Sequence, residues 1–426
     1  MAWLLVLLLL LFLAGMPIVL AVGIVSVAYA VFIAEVPLAI LPQQITSSID
    51  SFVLLAIPLF LLTGGLMGEA GITQRLLRFS EALVGWMRGG LAQVNVLTNV
   101  LMAGISGSGL ADAAATGSAM MPIMKKRGYG AGFAAAVTAA ASCIGPIIPP
   151  SIVMVVIGGL TNVSVGRMFL GGIVPGLLLG AAFGFVVYLT SRARNYPTGE
   201  RASAREVISS FGAALPSLGL PLIIIVGILS GVFTPTEAAA IACVYTIIFG
   251  LIYKELTWKA FYRAVVNVGT ATGTIMFIVG VSAVFGWILV AEDYGTKIAE
   301  LLLSITRDPD TMLLIIVATL LILGCFVEVI ALLILTVPVL MPLIETLGID
   351  PVQFGVIATI ALTTGLITPP FGISMFLMCS IGNVTIGQFS REIWPFIIAI
   401  VVGLVLFIYF PGLVTFLPNV IMGEAK

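Results

Sequence analysis

Apolar residues fall in long uninterrupted blocks along this chain. The blocks run over Met1–Ile33, then roughly Phe52–Met67, Leu91–Met124, Ala131–Leu160, Met168–Thr190, Leu215–Val232, Ala238–Tyr253, Val265–Ala291, Met312–Leu343, Phe354–Ile381 and Ile393–Leu417. At about 1.5 Å per residue, roughly 20 helical residues cross a bilayer core of about 30 Å, so the blocks predict membrane-embedded helices. Backbone cannot face lipid unpaired, and the alternation that barrel strands need is missing. The expected fold is therefore an all-α polytopic membrane protein. Met1–Ile33 has no Lys or Arg before it and exceeds a signal-peptide core, so it is expected to stay in the mature chain. It reads equally as one long tilted helix or as two pieces broken at Gly15-Met16-Pro17.

The most polar interruption, Ser191–Arg205, carries Arg192, Arg194, Arg201 and Arg205. Short cationic loops stay in the cytoplasm, which makes 191–214 a cytoplasmic linker between residues 1–190 and 215–426. These two parts share a repeat of 220 residues. Gly104, Pro122, Gly128, Gly145, Pro149, Pro150 and Pro175 recur as Gly324, Pro342, Gly348, Gly365, Pro369, Pro370 and Pro395. Glycine and proline mark special backbone points, so one supersecondary unit is expected twice. Charge orients the copies. Residues 70–130 hold six Lys and Arg, whereas residues 290–350 hold two among eight acids. By the positive-inside rule the copies are inverted, as in many secondary transporters.

Within each copy two elements stand out. Residues 91–124 are apolar but interrupted by Ile105-Ser106-Gly107-Ser108-Gly109, with Arg88 before and Lys125–Arg127 after. Cationic flanks on one side suit a re-entrant hairpin, with arms of about 15 residues spanning about 22 Å; two ordinary crossings packed through glycine are the alternative. The counterpart is 311–344, with its tip near Gly324–Glu328. Each hairpin precedes a helix that cannot run through, 131–160 broken at Gly145–Ser151 and 354–381 broken at Gly365–Pro370. Tandem prolines remove amide donors and bar the preceding residue from helix, leaving carbonyls that protein, water or an ion must satisfy. Such carbonyls, with hydroxyls from Ser106, Thr364 or Thr368, would form an oxygen cage suited to Na⁺; a simple kink is the other reading.

Two acids lie in these elements, Asp112 and Glu328. Carboxylates inside membrane usually mark a solute, ion or proton path, although either could instead cap the helix that follows it. Ser108 and Glu328 are equivalent by the 220 shift and could grip a polar solute from opposite hairpins. Composition narrows the function further. The chain has 426 residues, 61% hydrophobic and 9% charged, with a net charge of -1, which offers no basic field for nucleic acid. It has no histidine, which excludes His-dependent triads and His-ligated metals. Cys143, Cys243, Cys325 and Cys379 lie singly in apolar stretches and read as small buried hydrophobes.

Together the strings Ser106-Gly107-Ser108-Gly109-Leu110-Ala111-Asp112-Ala113, Ile148-Pro149-Pro150-Ser151, Gly171-Gly172-Ile173-Val174-Pro175-Gly176, Thr234-Pro235-Thr236-Glu237-Ala238 and Thr368-Pro369-Pro370-Phe371-Gly372 make the chain resemble the large membrane subunit of the tripartite ATP-independent periplasmic (TRAP) transporters. The resemblance covers essentially the whole chain. It implies an elevator-type Na⁺ symporter in the bacterial cytoplasmic (inner) membrane, importing an organic acid such as a C4-dicarboxylate or a sugar acid like sialic acid, with no enzymatic activity. A periplasmic substrate-binding protein and a separate small four-helix membrane subunit would be its partners. The resemblance puts Na⁺ around Ser106, Gly145, Ile148 and Pro149, and again around Gly324, Thr364 and Thr368. It puts substrate at Ser108, Asp112, Ser151 and Glu328. One departure is Glu328, where the family commonly has Asp. Two other readings stay open: a related hairpin carrier working alone on dicarboxylates, and a membrane subunit of an enzyme or ion-conducting complex.

Overall fold

The computed structural model describes residues 6–8, 10–11, 14, 16–33 and 37–423. Residues 1–5 and Gly15, on which the choice between one and two N-terminal helices turns, lie outside them. Among the described residues the protein is helical, and its one β pairing is an isolated bridge between Arg88 and Thr198. In chain order the helices are α1 Ile18–Phe32, α2 Ile40–Ile49, α3 Ala56–Glu69, α4 Ile72–Val84, α5 Gly90–Ser106, α6 Gly109–Lys126, α7 Ala131–Ser142, α8 Ile152–Thr161, α9 Val165–Ala193 and α10 Ala204–Leu229. They continue as α11 Pro235–Ile252, α12 Trp258–Ala291, α13 Tyr294–Ile305, α14 Pro309–Gly324, α15 Val329–Thr346, α16 Pro351–Gly365, α17 Ile373–Gly382, α18 Ile386–Tyr409 and α19 Gly412–Met422. Six of them (α9 to α12, α15 and α18) are each long and apolar enough to cross a membrane.

Local chemistry sets many of these boundaries. Ser203 with Glu206, Thr234 with Glu237, and Thr385 with Gln388 form reciprocal capping boxes at the starts of α10, α11 and α18. Asp308 and Asp350 cap α14 and α16, with Pro309 and Pro351 at the first helical position, where a missing amide costs nothing.

The 220-residue shift holds in three dimensions. It carries α6 onto α15 residue for residue, and it maps Gly128 onto Gly348, both in the left-handed region at φ 85° and 66°. Pro149-Pro150 and Pro369-Pro370 are both cis. The copies exchange partners. The second arm of each hairpin packs on the post-break helix of the other copy, α6 on α17 and α15 on α8, while the pre-break helices α7 and α16 pack on α18 and α9. Gly117 in α6 leaves room for Met378, and Gly355 in α16 for Met168. Around these central elements α1, α2, α3, α11 and α12 pack mainly on one another, while α10 packs on α4, α11 and α5.

Sidedness follows from two contacts. Lys125 Nζ, at the base of the first hairpin, donates to Gly382 O at 3.1 Å, and the start of α7 at Gly132 lies against the Gln388 carbonyl at the start of α18. The chain then leaves that side through α7 and α8 and ends at Asn162. Asn162 and Asn383 match within one residue of the repeat and share the left-handed conformation, φ 56° and 48°. Inverted copies would place these two turns on opposite sides of the membrane. The hairpin arms are longer than expected, 17 and 18 residues in the first and 16 and 18 in the second. Arm length alone does not make them re-entrant. The first tip meets the interruption between α7 and α8, the contact that a re-entrant hairpin requires.

Candidate functional site

α5 ends because Gly107 turns into the left-handed region at φ 61°, which glycine adopts without a steric penalty. The Gly107 and Ser108 amides return no hydrogen bond to an α5 carbonyl; the Ser108 amide donates instead to Ser106 Oγ at 3.3 Å. The last carbonyls of α5 thus reach the tip without backbone donors. Ser108 opens α6 as its N-cap, accepting from the Ala111 amide at 3.4 Å. Capping is therefore done by Ser108, and Asp112 lies one turn further in. Asp112 is fully buried beside Ser106, and among the described residues neither carboxylate oxygen has a hydrogen-bond partner within 3.5 Å.

The tip sits on the loop between α7 and α8. A Cβ on Gly107 would stand 2.6 Å from the Pro150 carbonyl oxygen, and one on Gly109 2.9 Å from the Ser142 carbonyl oxygen. Only glycine permits this approach. One on Gly104 would lie 3.8 Å from Pro149 O, and one on Gly145 2.6 Å from Asp112 Oδ2. Ser106, Ser108, Asp112, Gly145 and the Pro149-Pro150 carbonyls thus converge. Beside them a cavity of about 30 Å³, lined by Ser106, Ala111 and Asp112 and closed by Ile72, Thr73 and Leu76 of α4, has room for one water or a bare ion. The chemistry on offer is a set of hard oxygens around an unpaired buried carboxylate, an arrangement that favours a cation.

Two expected residues are engaged differently. Ser151 is the N-cap of α8; its hydroxyl donates to Pro146 O and accepts from the Met154 amide. The Ile148 side chain turns away into α9, where Gly176 gives it space, and Ile147 O rests on Gly172. Gly172 and Gly176 thus seat the unwound loop, while Gly171 leaves room for Val352 of α16.

The second tip is built differently. Gly324 packs on the end of α16, where a Cβ on Gly365 would stand 2.2 Å from the Gly324 carbonyl carbon. The last carbonyls of α14 before the turn, those of Ile322 and Leu323, are occupied by the Cys325, Phe326 and Val327 amides. Thr364 donates to Ile360 O at 2.6 Å and Thr368 to Thr364 O at 2.8 Å, which leaves lone pairs of both hydroxyls available to a cation. Glu328 is the N-cap of α15, its carboxylate accepting from the Ile330 and Ala331 amides at 2.9 and 3.1 Å. Of the two capping readings raised by the sequence, that for Glu328 describes the structure and that for Asp112 does not. The two pre-break helices meet at equivalent positions, with Cys143 Sγ donating to Thr363 O at 3.4 Å.

Sequence reading overlooked a buried polar ladder that ties the first hairpin to α7. Asn95 Nδ2 donates to Thr138 Oγ1 at 2.6 Å, and Asn99 bonds Asn95 and Thr116. The available signal was two asparagines four apart in an apolar arm, one face of a helix.

Residues 5–413 match the family model described as "Tripartite ATP-independent periplasmic transporter, DctM component". The chain is 38% identical over 414 residues to the sialic acid TRAP transporter large permease protein SiaM of Vibrio cholerae, covering 97% of each chain. It is 38% identical over 371 residues to the C4-dicarboxylate TRAP transporter large permease protein DctM of Pseudomonas aeruginosa, 87% of each. Among solved structures it resembles the Alcanivorax borkumensis YdaH transporter, with TM-score 0.61 over 87% of each chain at 16% identity, a likeness of fold.

Proposed function

The chain belongs to the DctM-component family of the tripartite ATP-independent periplasmic transporters, and on that premise we propose that it is the substrate-translocating large subunit of a Na⁺-coupled organic-acid importer. It is a polytopic membrane transport protein and not an enzyme. The observation that carries the proposal is the first hairpin tip pressed on the interrupted α7–α8 passage, with unpaired carbonyls and the partnerless Asp112 carboxylate in one place. A buried carboxylate with no donor is costly in membrane, and a cation beside Ser106 and Gly145 offsets that cost. The second Na⁺ site in this reading lies at Gly324, Thr364 and Thr368.

Between the tips the substrate carboxylate would meet hydroxyls and the amide ends of α6 and α15, since helix N-termini favour anions. Ser108 is the side chain we assign to substrate. Ser151 and Glu328, like Ser108, also hold the starts of their own helices and would line the same site. The relatives' names, which print sialic acid and C4-dicarboxylate, support an organic acid as the cargo. The tripartite, periplasmic family name supports a complex with further components; in our reading a periplasmic binding protein delivers cargo, a small membrane subunit braces the outer helices, and the complex resides in the bacterial cytoplasmic membrane. The hairpins and broken helices would then move as one body against α1–α3 and α10–α12, as in an elevator.

Uptake into proteoliposomes tests this, with the binding protein, the small subunit and an inward Na⁺ gradient each withheld in turn. Accumulation should need all three. Uptake without a Na⁺ gradient would refute the coupling, and uptake without the binding protein would assign the chain to carriers that act alone.

A further inference from the structure

A large cavity lies away from the tips. It holds about 1200 Å³ between the polar face of α4, the base of the first hairpin, the linker at 197–202 and the first turns of α10. Five arginines line it (Arg75, Arg78, Arg127, Arg201 and Arg205) together with Glu81, Glu200, Glu206 and Glu255. The formal excess is small, but the pairing is uneven. Glu255 is bound to Arg75 at 2.8 Å, and Glu206 is held by the Ser203 amide and hydroxyl at the start of α10. Arg201 lies over the Trp86 ring at 4.5 Å. Arg78, Arg127 and Arg205 make no ion pair or hydrogen bond among the described residues, though all three border the same space.

We propose that this basin binds the phosphate of an anionic phospholipid from the cytoplasmic leaflet. Guanidinium groups match phosphate oxygens in geometry as well as charge. The phosphate chemistry alone would also suit a free anion; the apolar surroundings favour a lipid. α10 is the least buried of the membrane-length helices, at 28%, and its first turns both line the basin and present apolar side chains outward. Ile208 is 71%, Phe211 44% and Leu215 51% exposed, a track on which acyl chains would lie while the headgroup reaches the arginines. Basic pockets between membrane helices on the cytoplasmic side bind such headgroups, at about 1 kcal/mol per Lys or Arg. The bound lipid would join the linker to the base of the first hairpin.

The test is the thermal unfolding midpoint of the purified full chain, titrated with phosphatidylglycerol, phosphatidylcholine or inorganic phosphate. Phosphatidylglycerol should stabilise the protein and phosphatidylcholine should not. The Arg78→Gln/Arg205→Gln pair should need roughly thirtyfold more phosphatidylglycerol for the same shift, the equivalent of two surface charges. Lys259→Gln, a cationic position outside the basin, should respond like the parent. Arg78→Lys/Arg205→Lys, which keeps both charges but not the planar fork, should need less extra phosphatidylglycerol than the Gln pair. An unchanged response in the Gln pair, an equal loss in Lys259→Gln, or a loss in the Lys pair as large as in the Gln pair would overturn the site. Equal protection by inorganic phosphate would overturn the lipid in favour of a free anion.

Discussion

Asp112 Oδ2 lies 2.6 Å from the point where a Cβ on Gly145 would stand, and no donor reaches either oxygen of that carboxylate. One residue belongs to the hairpin and the other to the broken passage, so the contact makes the two elements one unit. Gly109 N and the Ser108 carbonyl carbon, both 3.2 Å from the same point, close the remaining space.

Gly145→Ala is therefore an overpacking change in a site that cannot relax through a flexible side chain alone. It should cost about 1–3 kcal/mol of stability and depress uptake. In an Asp112→Ala background the same change should cost clearly less, because its tightest neighbour is gone. Equal costs in the two backgrounds, from thermal unfolding of all four variants, would mean that carboxylate and glycine are uncoupled.

Thr368→Val keeps the shape of the side chain and removes one oxygen beside Gly365. The lost hydroxyl also bonded Thr364 O at 2.8 Å, a net contribution of about 1 kcal/mol. Half-maximal uptake should need roughly five- to tenfold more Na⁺, a shift of about 1–1.4 kcal/mol, with the maximal rate little changed. An unaltered Na⁺ response would remove Thr368 from the cation site.

Glu328 separates a cap from a charged ligand. Asp is among the preferred N-caps, so Glu328→Asp should accept from the same amides and stay within about 0.5 kcal/mol of the parent, with uptake retained. Glu328→Ala should lose about 1 kcal/mol. If Asp transports a different organic acid while Ala remains fully stable, the side chain reads substrate and the capping role is wrong.

The repeat was legible because glycines and prolines record backbone shape directly; Pro122 and Pro342 even sit inside equivalent helices. The hairpins and broken helices followed from the same residues. Side-chain roles were less visible. A buried carboxylate and a capping carboxylate look alike in sequence, so Asp112 and Glu328 could be told apart only by whether backbone amides point at them. The helices α4 and α13 escaped a search for apolar blocks because they are amphipathic. In α4 Ile72, Thr73, Leu76, Phe79 and Ser80 are buried, at helical spacing, while Arg75 and Arg78 face the basin. A scan at period 3.6 over 70–90 would have found it.

Inversion makes the most direct prediction, because it assigns equivalent residues to opposite solvents. Lys126 and its counterpart Thr346 are both exposed, each at the last position of a second hairpin arm. Three native cysteines, Cys143, Cys243 and Cys379, are buried, and Cys325 is half-buried, so a Cys325→Ser background leaves little reactive thiol. In that background Lys126→Cys should react with a membrane-impermeant maleimide only from the cytoplasmic side, and Thr346→Cys only from the outer side. The Lys125 contact with Gly382 predicts a third result: a cysteine at exposed Gln388, near the start of α18, should label with Lys126→Cys although it belongs to the other copy. If Lys126 and Thr346 label from the same side, the copies run parallel, and the two interrupted passages could not meet head to head at Cys143 and Thr363.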